Sequence, residues 1–313
     1  MTIGFALTDQ APGRLLWAIC ALFTASHARY SVISTAWLTL PSTPAAESPH
    51  GPAGGTHRQR PNVFTILLVN TKSFSALTSA AHSDDRVGGY YDPSSECYFV
   101  VARPSVQPDL WMAYLGGART CYRRFGVERV LEYDRVRDGK STALFFAALD
   151  ADGHIAGGMR AQGPYLHADQ AHALLEWAGR SGAAALRADI SARIPAGVIE
   201  MKTGWVDLDA PRRVELTAAL ARIFVHSMAL LNVRHVLGTV AAHAVRCWQT
   251  TGGVVSRTVT PVAYPDDRYR TAAMWWDRDT YADHTASEQL ARLIDESAQL
   301  HKLHRPGLSA TAP

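Results

Sequence analysis

From residue 97 onward, apolar positions fall into short blocks whose period changes along the chain. Residues 98–102 form an apolar run that predicts a strand. Residues 109–125 predict a helix, weakened in its middle by Gly116 and Gly117. Residues 142–149 (TALFFAAL) predict a strong strand, 150–153 (DADG) a turn and 154–162 the returning strand, which together make a hairpin. Residues 169–179 predict a helix with Leu174, Leu175 and Trp177 as its apolar side.

Residues 197–206 predict the next strand. Asp209 is placed to cap the helix that follows, with Pro211 in its first turn, where a missing N–H costs little. That helix runs to about Leu231, and Leu216, Leu220, Ile223 and Leu230 recur at helical spacing. Residues 235–240 predict a strand, 242–250 a short helix ending near Gly252-Gly253, and 254–260 and 269–276 the strands that complete the sheet. A last amphipathic segment, 287–303, carries Leu290, Leu293, Ile294 and Leu300 on one side and is expected to pack on the domain or on a second subunit as a homodimer.

The first sixty residues differ. They hold only six charges: Asp9, Arg14, Arg29, Glu47, Arg58 and Arg60. The apolar run 15–23 is too short to span a bilayer, so an unstructured leader is expected, followed by a Pro-, Gly- and Ser-rich linker over 41–61. Residues 63–69 (VFTILLV) have strand character. The organisation that follows is a disordered leader and linker (1–60), an extension of uncertain role (61–96), a domain over 97–280, and a C-terminal amphipathic helix and tail (281–313).

Composition narrows the class. Hydrophobic residues make up 47% of the chain, enough for a substantial core. Thirty-one Lys and Arg against 28 Asp and Glu leave +3, too mild a balance to point to nucleic acid. The 13 histidines are scattered, and His301 and His304 have no Cys or carboxylate at metal-site spacing, so no metal is expected. Cys20, Cys97, Cys121 and Cys247 form no C-x-x-C pair, which reads as reduced thiols in a cytoplasmic protein.

Several short motifs stand in a suggestive order. Residues 119–125 (RTCYRRF) lie on the first helix and 132–134 (EYD) in the loop after it. Residues 157–160 (GGMR) lie on the second hairpin strand and 198–200 (VIE) on the strand before the long helix. In this order the motifs and elements resemble the GNAT acyltransferase superfamily over most of 97–280, and within it the N-acyl amino acid synthase and autoinducer synthase branch. The resemblance implies an α/β fold with a mixed central sheet flanked by helices and a splayed strand pair forming a thioester cleft. It implies transfer of an acyl group from acyl-CoA, or from phosphopantetheine on an acyl carrier protein, to the amine of an amino acid or similar small molecule. The alternatives are a short-chain acetyltransferase and a degenerate domain that only binds. Departures from the pattern are plain: Thr203 stands where autoinducer synthases carry Arg. The phosphate loop is reduced to 212–217 (RRVELT), with Glu215 and Thr217 at its glycine positions. Trp248 stands where a Tyr acid precedes Gly252.

Residue chemistry fills in roles. Glu200 is the candidate base, since an attacking amine must be neutral; the other reading is an ion pair with Arg160 or Lys202. Arg160 is suited to grip an acceptor carboxylate through two parallel hydrogen bonds, with Arg119 and Asp134 completing the acceptor pocket. Gly204 inside a strand marks a bulge, whose freed N–H groups can hold an oxyanion, or else the strand's end. Arg212, Arg213, Val214 and Thr217 at a helix start suit a donor phosphate, with Glu215 favouring a loosely held carrier phosphopantetheine over CoA. Trp205 and Trp248 are candidates to line an apolar acyl slot, although core packing explains each singly.

Overall fold

The computed structural model describes residues 88–304; the expected leader, linker and 63–69 strand lie outside the described residues. The strands are β1 (Gly88–Asp92), β2 (Cys97–Ala102), β3 (Leu144–Leu149), β4 (Ile155–Gln162), β5 (Val198–Val206), β6 (His235–Ala241), β7 (Val254–Val255), β8 (Val262–Ala263) and β9 (Arg270–Asp277). The α-helices are α1 (Pro108–Arg124), α2 (Tyr133–Val136), α3 (Ala173–Glu176), α4 (Ala183–Arg193), α5 (Arg213–Leu230), α6 (Val245–Gln249), α7 (Tyr281–His284) and α8 (Ser287–His304). The sheet order is β1-β2-β3-β4-β5-β6-β9-β7, with β8 also on β9. Among the described strands only β5 and β6 pair in parallel. The fold is thus the mixed α/β sheet flanked by helices that the sequence predicts.

Alternation along each strand sends side chains to two cores. On one face Phe146, Met159, Ile199, Met201, Val236 and Trp276 pack with Leu216, Ile223 and Phe224 of α5 and Leu293 of α8. On the other, Val198, Leu237 and Trp275 meet Trp177, and Leu186 and Ile190 of α4. Each fully buried large apolar side chain contributes roughly 1.5–3 kcal/mol. The two cores clamp the sheet from both sides and fix the position of β5.

Two expectations about helices change. The helix expected over 169–179 is a 3-10 turn (Ala168–Gln170) followed by the single turn α3, because Ala171 is extended and Gly179 has φ +70°. The regular helix here is α4, whose Leu186 and Ile190 recur one turn apart and are buried. Asp209 does not cap α5: its carboxylate pairs with Arg124 of α1 at 3.1 Å, and the helix begins at Arg213 with no side-chain cap. The amphipathic C-terminal helix α8 packs against β1 and α5 of its own chain. It is tied there by Arg222, whose Nε lies 2.8 and 2.9 Å from the Glu296 carboxylate oxygens.

Candidate active site at a fork in the sheet

The β5–β6 ladder ends after Met201↔Gly238. Beyond that rung β5 stays with β4, and β6 stays with β9. The reason is on β5. Between the β4 partners Gly158 and Arg160 there is one residue, Met159; between their β5 partners Trp205 and Lys202 there are two, Thr203 and Gly204. This is a bulge, and it twists β5 away from β6. The left-handed residue is Thr203, at φ +54°, rather than the neighbouring glycine. Two phenols of α1 hold the bulge: Tyr114 donates to the Thr203 carbonyl at 2.6 Å and Tyr122 to the Gly204 carbonyl at 3.2 Å.

Glu200 sits one residue before the last rung and is fully buried. Its Oε2 accepts from the Tyr165 hydroxyl at 2.9 Å and the His172 backbone N–H at 2.8 Å. Its Oε1 lies 3.4 Å from Lys202 Nζ. The ion-pair reading of Glu200 is therefore present with Lys202, two residues along the same strand face, and not with Arg160.

The fork holds a second carboxylate that sequence reasoning missed. Glu176, on α3, is 2% exposed. Its Oε1 accepts from Lys202 Nζ, from Thr239 Oγ1 at 3.3 Å, and faces His172 Nδ1 at 3.2 Å. The other ring nitrogen of His172 lies 3.2 Å from Glu132 Oε2. One ligand-type atom each of His172, Glu176 and Glu200 lies within 4.8 Å of the other two, and Lys202 supplies the balancing cation. The available signal was a lone carboxylate inside an apolar stretch (HALLEW), one helical turn after a histidine.

Electrostatics follow from the burial. Burial opposes ionisation of Glu176, but Lys202 and His172 outweigh it and hold its carboxyl below the usual value. Burial likewise opposes the Lys202 charge, and Glu176 and Glu200 override it and push the ammonium pKa up. Burial, then Glu200, pushes the Tyr165 phenol up, so it remains a donor.

Arg160 is 4% exposed on the same sheet face. Its partners are neutral oxygens: Thr203 Oγ1 at 3.1 Å, Thr142 Oγ1 at 3.2 Å and Gln162 Oε1 at 3.4 Å. Burial pulls its pKa down. Among the described residues no carboxylate forms an ion pair with it.

Arg119 and Asp134 are not brought to Arg160. Arg119 pairs with Glu128 at 2.6 Å and lies over the Tyr133 ring, while Asp134 is 94% exposed beside Arg137. Of the EYD motif it is Glu132 that turns inward, with φ +46°. Arg212 reaches the β1–β2 turn, where its Nη2 lies 2.6 Å from Glu96 Oε1, and Arg213 donates to the Leu208 carbonyl at 3.1 Å. Thr217 is turned onto its own helix, donating to the Arg213 carbonyl at 2.7 Å; Val214 is partly buried in the first turn of α5. Trp205 and Trp248 share no slot. Trp205 lines a cleft of about 180 Å³ with Gly116, Thr120, Arg124, Asp207 and Leu208, whereas Trp248 packs on Phe224 within the opposite core.

Among the described residues no helix is long and apolar enough to cross a membrane. No protein-family model matches the chain. Among solved structures it is similar to FeeM, an N-acyl amino acid synthase from uncultured soil microbes, at 13% identity and a TM-score of 0.44, over 58% of this chain and 92% of that one. It is also similar to TofI in a ternary complex with an inhibitor and MTA, at 20% identity and a TM-score of 0.38, over 63% and 96%. In sequence it is 48% identical over 206 residues to uncharacterized protein Rv1356c of Mycobacterium tuberculosis, which covers 66% of this chain and 78% of that protein. The chain belongs to the family of that mycobacterial protein.

Proposed function

We propose that this chain is an N-acyltransferase that moves an acyl group from acyl-CoA or an acyl carrier protein to the amine of an amino acid or similar small molecule, by direct attack on the thioester. One observation carries the reading: β5 and β6 part after Met201 and Gly238, with buried Glu200 just before the fork and a bulge just after it. A thioester laid in the fork has its carbonyl beside the backbone of Thr203 and Gly204, where N–H groups can stabilise the tetrahedral oxyanion.

The acceptor arrives as an ammonium and loses one proton to Glu200. Its nitrogen then bonds to the carbonyl carbon, the C–S bond breaks, and a second nitrogen proton ends on the departing sulfur. Arg160 favours an amino acid over a plain amine. A buried guanidinium without a carboxylate partner is costly, and a substrate carboxylate would supply that partner. The donor phosphate falls to the free N–H groups of the first turn of α5, with Arg212 exchanging Glu96 for phosphate.

The test offers acetyl-CoA, palmitoyl-CoA and palmitoylated acyl carrier protein in turn, with a mixture of the twenty amino acids, and follows thiol release. Release with the wild type and its loss on Glu200→Gln are expected. Equal rates in the two proteins would remove Glu200 from the mechanism, and thioester left intact by the wild type would remove the activity.

A further inference from the structure

A buried base must be emptied after every turnover. Each acylation of an ammonium leaves one proton on Glu200, and that side chain has no solvent exposure. The structure offers a continuous way out. Glu200 Oε1 is 3.4 Å from Lys202 Nζ, which is bonded to Glu176 Oε1; Glu176 Oε1 is 3.2 Å from His172 Nδ1; and His172 Nε2 is 3.2 Å from Glu132 Oε2. Side-chain exposure along this path is 0% at Glu200, 10% at Lys202, 1% at Glu176, 9% at His172 and 34% at Glu132, so the path ends at its most exposed member.

We infer that His172 and Glu132 form a proton-exit relay that returns Glu200 to its basic form, a role that rests on the acyltransferase reading. Lys202 gives a proton to Glu176 as it takes one from Glu200, and so remains an ammonium throughout. Glu176 passes its proton to His172 Nδ1, and the ring releases one from Nε2 to Glu132, which meets water. One proton enters and one leaves, and no bond to carbon changes. Histidine suits this position because its two nitrogens can accept and donate on opposite sides of one ring. Arg135 on the outer side steadies the Glu132 carboxylate at 3.2 Å.

The arrangement explains what a structural reading leaves idle. A carboxylate serving only to neutralise Lys202 has no use for a histidine bridging it to a second, half-exposed carboxylate.

The experiment uses the full chain with palmitoyl-CoA and, separately, palmitoylated acyl carrier protein, each with the amino acid mixture, following thiol release at low buffer concentration. His172→Ala is expected to lower kcat about 10- to 100-fold at unchanged KM, with added imidazole restoring much of the rate. Glu132→Gln is expected to lower kcat in the same direction. Glu132 is partly exposed, so this variant tests the relay even where His172→Ala folds poorly. If both variants turn over at the wild-type rate while Glu200→Gln is inactive, the relay is wrong and the base assignment stands. If Glu200→Gln is also fully active, or the wild type consumes no thioester, the acyltransferase reading falls and the relay with it.

Discussion

Lys202 and Thr239 are the first residues beyond the last rung joining β5 to β6, and both bind the same oxygen of Glu176. A carboxylate from α3 thus closes the base of the fork. Replacing Lys202 by Met leaves Glu176 and Glu200 facing each other with no cation. Breaking such a buried pair costs about 3–5 kcal/mol. The sign with pH follows from the two shifts. The Lys202 value is raised, so its contribution is complete below its ordinary value, ~10.4, and fades as pH rises through the folded value. The Glu176 value is lowered, so its contribution is complete above its ordinary value, ~4.3, and fades as pH falls through the folded value. Urea denaturation should show the full deficit of Lys202→Met between those limits. The gap should narrow in acid, where the Glu176 contribution to the wild type fades.

Gly116 and Gly117 should respond in opposite directions to alanine. A Cβ on Gly117 would lie 2.2 Å from the Trp205 ring, while one on Gly116 meets nothing within 4 Å. Gly117→Ala should lower stability by about 1–3 kcal/mol through overpacking. Gly116→Ala should raise it by up to about 1 kcal/mol through helix propensity. Thermal melts of the two variants check the pair, and equal shifts would contradict the seating of Trp205 under α1.

Glu296→Ala should undock α8. The Glu296 carboxylate holds Arg222, and its Oε2 lies 2.7 Å from His226 Nε2, all three being nearly fully buried. A loss of about 3–5 kcal/mol is expected, because Arg222 is left with Asp92 as its remaining carboxylate partner. Hydrogen exchange should show α8 amides losing protection ahead of those in β3 and β4.

Glu96 and Arg212 should have opposite effects on donor affinity. Their pair spans the β1–β2 turn and the start of α5, and both side chains are about half exposed. If Arg212 meets the donor phosphate, Glu96 competes for it. Arg212→Ala should weaken CoA binding about tenfold, the scale of one charge-assisted hydrogen bond, while Glu96→Ala should tighten it. Titration calorimetry with CoA reads both. Unchanged affinity in Arg212→Ala would move the phosphate elsewhere.

Local chemistry determined a good part of this molecule. The 142–162 hairpin, the strands at 98, 197 and 235, and the long helix after Pro211 are periodic segments whose apolar positions leave one face to bury, so sequence alone places them. A glycine inside the 197–206 run announced the bulge, and a carboxylate in that same apolar strand announced Glu200. What the tertiary structure decided is which side chains meet. Arg119, Asp134 and Arg212 found surface partners nearby, because exposed charges pair with whatever the fold brings close. Glu176, His172, Glu132 and Lys202 lie on a one-turn helix, its entry, a loop and a strand. Only the His172–Glu176 spacing links any of them along the chain; the four form one network because the fold brings Glu132 and Lys202 to that pair and leaves the inner charges, Glu176 and Lys202, little water to turn to.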